Sequence, residues 1–314
     1  MTEALVTGAS GFVGSHLVDC LLERDYRVRV VVRRTSRQRW LEGRPLDRIE
    51  ADLRQPVRFP PCDVVFHVAG VIRARSWEEF LQGNRDAARH AIEGARAARF
   101  VHVSSLSAAG PGEVDETAPC RPVSLYGRSK WEGEQEVWRR RDRIPVTVIR
   151  PPVVYGPRDE GLLYLFRAVR WGLVPQIGKG MVLSLIHVRD LVEGIVRAAE
   201  SPAGANEVFY LAHPRPVAMG EALGLAARLM GRRGVRIRFP DRVVRFLGAV
   251  AEDAGRLLGR AVPVFGRDKA LEMTCRTWVC SPAKARRVLG WEAAIPLEQG
   301  MAETLEWYRE HRLL

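Results

Sequence analysis

The chain has 314 residues, 46% of them hydrophobic, with a formal net charge of +12 at pH 7. That length can bury a large core in one big domain or two unequal ones. No stretch approaches the roughly 18 uninterrupted apolar residues of a spanning helix, and five cysteines without a Cys-x-x-Cys pair argue against a disulfide framework, structural zinc or any other metal site. The basic excess is scattered: only four of the 49 basic residues are lysine, no run exceeds Arg139–Arg141, and no aromatics interleave, so a nucleic-acid partner is not expected. The opening Met-Thr-Glu lacks the basic region and apolar core of a secretory signal, which predicts a cytoplasmic protein.

Residues 3–7 form a short apolar run that reads as a buried strand. It enters Gly8-Ala-Ser-Gly11-Phe-Val-Gly14, and apolar residues then recur at helical spacing over 12–24. Strand, glycine turn and helix together are the context of a dinucleotide site. Gly8 permits the tight turn, Gly11 lets the backbone approach a pyrophosphate, and Gly14 lets helix and strand pack closely. Ser10, Phe12 and Val13 share that turn and the helix N-terminus, whose free N–H groups suit phosphate.

Further strands are expected at 27–32, 47–50, 63–68, 99–104 and 145–150, with helices at 76–97 and 124–141. The alternation predicts an α/β fold, a Rossmann-type doubly wound parallel sheet, over a dinucleotide-binding part spanning 1–150. After Pro151-Pro152 the rhythm changes. Helices near 161–171, 188–200, 218–231, 241–259, 281–289 and 297–310, with strand-like pieces at 207–211 and 235–239, predict a smaller, mainly helical substrate lobe over 151–314. Some of its segments are expected to return to the sheet.

The second strand ends in Val-Val32-Arg33-Arg34-Thr-Ser36. An acid at its end would bond a ribose 2′-hydroxyl, whereas arginine suits a 2′-phosphate. The acid's slot falls on Val32, so Arg33, helped by Ser36, points to NADP(H); NAD(H) is kept as the alternative.

Tyr126 and Lys130 lie four residues apart in Ser124-Leu-Tyr-Gly-Arg-Ser-Lys130, one turn apart on a helix face. A cation there is expected to lower the phenol's pKa and make Tyr126 a proton donor and acceptor.

Taken in order, these features resemble the extended short-chain dehydrogenase/reductase family over essentially the whole chain. The resemblance implies that Asp52 and Leu53 meet the adenine and that His67-Val-Ala69-Gly70 closes the fourth strand at the cofactor. It places the family's asparagine at Asn84 and the catalytic serine at Ser105 rather than Ser104. Arg150-Pro151-Pro and Ile186-His-Val-Arg-Asp190 match later family signatures, and His187 is expected to be structural. A homodimer formed through the long helices, including 124–141, is also implied.

Where nucleotide-sugar enzymes of the superfamily carry an arginine before the His-Val-Arg-Asp segment, this chain has Ser184, preceded by Met181-Val-Leu183. That departure looks more like the dihydroflavonol reductase and 3-beta-hydroxysteroid dehydrogenase branch. It predicts a hydrophobic or semi-polar small-molecule substrate touching Met181, Leu183, Ser184, Ser105 and Tyr126. The implied chemistry is hydride transfer between NADP(H) and a carbonyl/secondary-alcohol pair, with Tyr126 as acid, Ser105 as oxygen ligand and Lys130 serving both the phenol and the ribose. A nucleotide-sugar epimerase or dehydratase and a non-catalytic dinucleotide-binding scaffold stand as alternatives. Segment 241–260 sets arginines beside apolar residues: packing on another element is its ordinary reading, and a wall of a lipophilic pocket or peripheral contact with a membrane surface is the other.

Overall fold

The computed structural model describes residues 1–257, 263 and 265–314. Seven strands, labelled here in chain order, form one all-parallel sheet: β1 (Glu3–Thr7), β2 (Arg27–Val32), β3 (Asp47–Glu50), β4 (Cys62–His67), β5 (Ala97–Val103), β6 (Val146–Ile149) and β7 (Glu207–Phe209). Their order is β7-β6-β5-β4-β1-β2-β3. Chain order therefore reverses between β1 and β4, and the crevice outside the carboxyl ends of those two strands is where such sheets bind ligands. Register brings the ends level, with Thr7 opposite His67 and His67 opposite His102. The central strands are apolar on both faces because helices cover both. On one face the Phe12–Leu22 and Val188–Glu200 helices close a core containing Leu17, Leu21, Ile195 and Phe66; on the other the Ala87–Gly94 and Leu125–Trp138 helices close a core containing Ala88, Ile92, Val137 and Phe100.

The expected return to the sheet is β7, which pairs with β6 in parallel. The smaller lobe has its own core around Phe166, Leu223, Trp278 and Tyr308. It contains more strand than its sequence suggests. Val217–Ala218, Val182–Leu183, Thr277–Cys280 and Gly112–Val114 make a four-stranded sheet, and Leu173–Ile177 pairs with Val235–Phe239, the strand expected at 235–239. The two- and three-residue strands among them are too short to display alternation.

The helix expected over 76–97 is interrupted. Trp77–Phe80 and Ala87–Gly94 are α-helical, while Leu81–Asp86 between them is π-helical. The wider turn carries Asn84, and such bulges recur at functional sites. The helix expected over 241–259 is Asp241–Leu257, and its last two expected residues, like 260 of the longer segment, lie outside the described residues.

Candidate active site

The glycine turn is built as its spacing predicts. Gly8 has φ +71°, and a Cβ on it would fall 2.6 Å from Ala69 N, where the first turn passes the loop after β4. A Cβ on Gly14 would fall 2.2 Å from Gly8 O, so helix and turn are in direct contact. Gly11 is exposed, and its nearest internal neighbour to such a Cβ is Gly8 O at 3.2 Å. The helix that Gly11 begins has no side-chain cap and no acid in its first turn. Its N–H groups and positive dipole end are open to an anion. Ser10, Phe12 and Val13 are half-buried around this opening, Phe12 edge-on to His16 with centroids 5.8 Å apart. The residues present therefore fit a dinucleotide pyrophosphate.

At the end of the neighbouring strand β2, Val32 is buried and Arg33 is exposed. Ser36 Oγ accepts from Arg33 N at 3.1 Å, so its hydroxyl shapes the turn that presents the guanidinium. Asp52 is held by Arg54, with Nη2 to Oδ2 at 2.5 Å, and this pairing keeps its carboxyl below the usual range; Arg33 lies close enough to pull the same way. Leu53 differs from expectation: its side chain is buried in the core and its carbonyl is bonded to His90 Nδ1 at 2.9 Å, so it packs rather than presenting a side chain to a ligand.

The reacting end is assembled from three elements. Ser124 caps the Leu125–Trp138 helix, accepting from Gly127 N at 2.9 Å. A Cβ on Gly127 would lie 2.2 Å from Ser107 O, so glycine lets this helix close onto the segment after β5. That contact sets the Tyr126 phenol beside Ser105, whose hydroxyl pulls the phenol's pKa down. Ser105 itself caps the Leu106–Ala109 turn, accepting from Ser107 N at 3.1 Å. Ser104 turns the other way: it is buried and donates to Glu134 Oε1 at 2.5 Å. Pro151 closes the same corner through its carbonyl, which accepts from Leu106 N at 2.8 Å.

Lys130 is 4% exposed and donates from Nζ to Val103 O at 2.8 Å. Burial lowers its pKa to about 8, against a smaller upward pull from Glu134. Gly70 lies beside it: a Cβ there would fall 3.4 Å from Lys130 Nζ and 2.9 Å from Asn84 Oδ1. Asn84 accepts from Val71 N at 2.8 Å, donates to Val71 O at 2.9 Å and donates to Ser129 Oγ at 2.8 Å. It is spent on joining the loop after β4 to the tyrosine helix, so it positions the site rather than offering a free group to a substrate.

One electrostatic expectation is corrected. The Tyr126 phenol is pushed above its ordinary value, first by burial and then by Glu272, with Ser105 and Lys269 pulling down; Lys130 does not enter. The lysine donates to Val103 O, and burial lowers its own pKa. Of the three lobe residues expected at the substrate, Ser184 and Leu183 are corrected as well. Ser184 is fully buried and its hydroxyl serves Cys280, accepting from N at 3.1 Å and facing O at 3.4 Å, so it ties its strand to Thr277–Cys280. Leu183 is 4% exposed within the lobe core, and Met181 packs half-buried against that core.

His67 is fully buried, bonded through Nδ1 to Thr7 Oγ1 at 2.9 Å and stacked on His102 at 5.3 Å; burial pushes its pKa to about 3, so it is a neutral packing residue. His187 is likewise buried, its pKa lowered by burial to about 4, and its Nδ1 caps the helix it begins.

Two polar clusters escaped the sequence. Glu134 is fully buried and takes a two-point ion pair from Arg150, Nη2 to Oε2 at 2.6 Å and Nε to Oε1 at 3.0 Å. Burial opposes the guanidinium's charge, and Glu134 outweighs it, holding Arg150 protonated well above its ordinary range. Glu134 sits one turn beyond Lys130, a spacing visible in the sequence. The second cluster comes from the lobe helix Arg267–Met273. Asp268 accepts from Leu125 N at 2.6 Å and Tyr126 N at 3.1 Å, and Glu272 accepts from Ser124 Oγ at 2.7 Å. These residues are over 140 positions from the tyrosine, and no local signal announces them.

The sequence pattern of the NAD dependent epimerase/dehydratase family matches residues 4–212. The chain belongs to that family. It is an NAD(P)-dependent oxidoreductase of the extended short-chain dehydrogenase/reductase type. A ceramide reductase of Caulobacter vibrioides is 33% identical over 311 residues, covering 97% of this chain and 93% of that protein. A 3 beta-hydroxysteroid dehydrogenase/Delta 5-->4-isomerase of Mycobacterium tuberculosis is 28% identical over 337 residues, covering 98% and 90%. Among solved structures, MoeE5 in complex with UDP-glucose and NAD superimposes with a TM-score of 0.78 at 26% identity, covering 99% of each chain.

Proposed function

We propose that this oxidoreductase interconverts a carbonyl and a secondary alcohol on a hydrophobic or semi-polar substrate, with NADP(H) preferred. The observation that carries the chemistry is the placing of the Tyr126 phenol beside Ser105, with buried Lys130 one helical turn away. The Tyr126 phenol, with an ordinary pKa of 10.0 that burial raises further, is protonated at neutral pH and can donate to an alkoxide oxygen. Ser105 Oγ bonds the same oxygen and fixes its place. A bound nicotinamide cofactor supplies the hydride in reduction and takes it up in oxidation. Lys130, beside Gly70, would hold the cofactor's ribose.

The names of the ceramide and steroid relatives support a lipophilic substrate, and the exposed Arg33 after buried Val32 supports a 2′-phosphate. This reading includes a homodimer formed across the Leu125–Trp138 helix, which sedimentation velocity tests. A nucleotide sugar remains the competing substrate because MoeE5, with the same fold, was solved with UDP-glucose.

The deciding assay measures turnover with NADPH or NADH against long-chain keto-lipids, steroid-like ketones and UDP-glucose. Turnover of lipophilic ketones with NADPH is expected, and Tyr126→Phe should cut it about 10²–10⁴-fold, the range for a positioned general acid. NADP(H) affinity should hardly change. Turnover confined to UDP-glucose removes the substrate assignment, and full activity in Tyr126→Phe removes the mechanism.

A further inference from the structure

The Asp241–Leu257 helix is mounted inside out. Val244 is 5% exposed, and a Cβ on Gly248 would fall 2.7 Å from Ala270 Cβ and 2.8 Å from Gly266 O, so the helix is held along a narrow edge against Arg267–Met273. The apolar positions that would ordinarily form a core stripe point outward. Val243, Phe246, Leu247, Val250 and Leu257 are 40%, 66%, 45%, 46% and 88% exposed, and their spacing of three, one, three and seven places them along one face. The strand leading into this helix, Val235–Phe239, pairs with Leu173–Ile177, and at the far end of that pair Trp171 and Val235 are 80% and 64% exposed. Apolar surface of this extent, uncovered among the described residues, marks an interaction site.

The surrounding charge selects the partner. Between residues 232 and 245 stand Arg232, Arg233, Arg236, Arg238, Arg242 and Arg245, all exposed, against the single acid Asp241. An apolar stripe flanked by arginines is the pattern of a helix lying in a lipid interface, and each cation near an anionic leaflet adds attraction. An exposed tryptophan suits the headgroup level of the same interface. A second copy of this chain is a poorer match, since a two-fold contact would set the same arginines against one another. No described helix is long and apolar enough to cross a bilayer, so the contact is peripheral.

We propose that the outward face of the Asp241–Leu257 helix, with the adjoining strand pair and its arginines, docks this protein on the surface of an anionic lipid membrane. The surface does not depend on which carbonyl is reduced. Its position does have a use for a lipophilic substrate: the inner edge of this helix rests on Arg267–Met273, whose Asp268 and Glu272 hold the start of the Tyr126 helix. A membrane at the outer face lies one helix layer away from the element that seats the proton donor.

The test is co-sedimentation of the full chain with vesicles of mixed phosphatidylglycerol and phosphatidylcholine, compared with phosphatidylcholine alone. Binding should rise steeply with the phosphatidylglycerol fraction and fall at high salt. Phe246→Asp/Val250→Asp should weaken it at least tenfold, and Arg236→Glu/Arg238→Glu should weaken it selectively on anionic vesicles. Both variants alter exposed positions, so melting temperature and turnover of a water-soluble ketone should match the wild type. If the aspartates impair folding, Phe246→Ser/Val250→Ser carries the same expectation. Absence of wild-type binding to anionic vesicles overturns the proposal, and so does binding that the Phe246 variants leave intact. A lipid-free dimer that Phe246→Ser dissociates would assign the face to a second copy instead.

Discussion

The two ends of the cofactor crevice are made from different materials. At the phosphate end the working parts are backbone: a left-handed glycine, a helix start without a cap, and close contact between turn and helix. At the reacting end they are side chains with charge or hydroxyl groups: buried Lys130 and Glu134 with Arg150, half-buried Ser105 beside Tyr126, and half-buried Asp268 reaching from the lobe. Backbone sites tolerate most side-chain changes nearby and fail when a Cβ is added. Side-chain sites fail when one partner is removed, because the other is left buried and unmatched. The difference predicts where substitutions cost stability, where they cost affinity and where they act in opposite directions.

The sharpest contrast should come from Glu134→Gln. It leaves Arg150 charged and buried without its partner, a loss of roughly 3–5 kcal/mol in unfolding free energy by chemical denaturation. An equally stable variant would mean that Tyr210 and Cys120, which also accept from Arg150, suffice to hold it. Arg33→Asp works at the phosphate end and should leave the fold alone. It should weaken NADP(H) by roughly 2–3 kcal/mol, the worth of a charge-assisted phosphate contact, while sparing NAD(H). Titration calorimetry with both cofactors decides this, and equal effects on the two would make Arg33 an ordinary surface residue.

Lys130→Met should move stability and function apart. The lysine's pKa is lowered from an ordinary 10.5 to about 8, so below pH 8 the folded protein bears the full cost of a buried cation. Between about 8 and 10.5 the unfolded chain binds a proton that the folded chain has released, and wild-type stability climbs with pH. Methionine removes that cost and loses one hydrogen bond, a net gain of about 2 kcal/mol near pH 7 that shrinks as pH rises toward 10.5. Cofactor affinity should fall in the same variant, and in the wild type it should decline as pH passes 8. A less stable variant would refute the view that Lys130 is kept at a thermodynamic cost. The smallest effect is expected from Asp268→Ala, about 1 kcal/mol of stability, as for a helix-start acceptor. Its loss of turnover should exceed what the stability change explains, if the lobe seats Tyr126.

The same division explains what was legible in the sequence. The glycine turn, Tyr126, Lys130 and the sheet strands announce themselves through local spacing, and β1 occupies the expected 3–7 while the tyrosine helix runs Leu125–Trp138 inside the expected 124–141. Ser184 misled because an apolar neighbourhood before a buried strand looks the same whether it lines a cleft or fills a core. The lowered phenol pKa misled because a Tyr-x-x-x-Lys spacing specifies proximity on a helix and says nothing about where the ammonium spends its protons. Asp268 and Glu272 were invisible for a simpler reason. They meet Ser124, Leu125 and Tyr126 only through the tertiary fold, across some 140 residues of chain.

That long reach has a consequence for the order of events as the protein is made. The glycine turn, all of the sheet but β7, and the tyrosine itself lie within the first 150 residues. The carboxylates that grip the tyrosine's helix arrive only near residue 270. A chain that stops short of them would lack the clasp on the tyrosine helix, and with it Ala285, Leu289 and Trp291 of the core that packs on the Phe12–Leu22 helix. The late clasp thus ties the seating of the tyrosine helix to a segment made near the end of the chain.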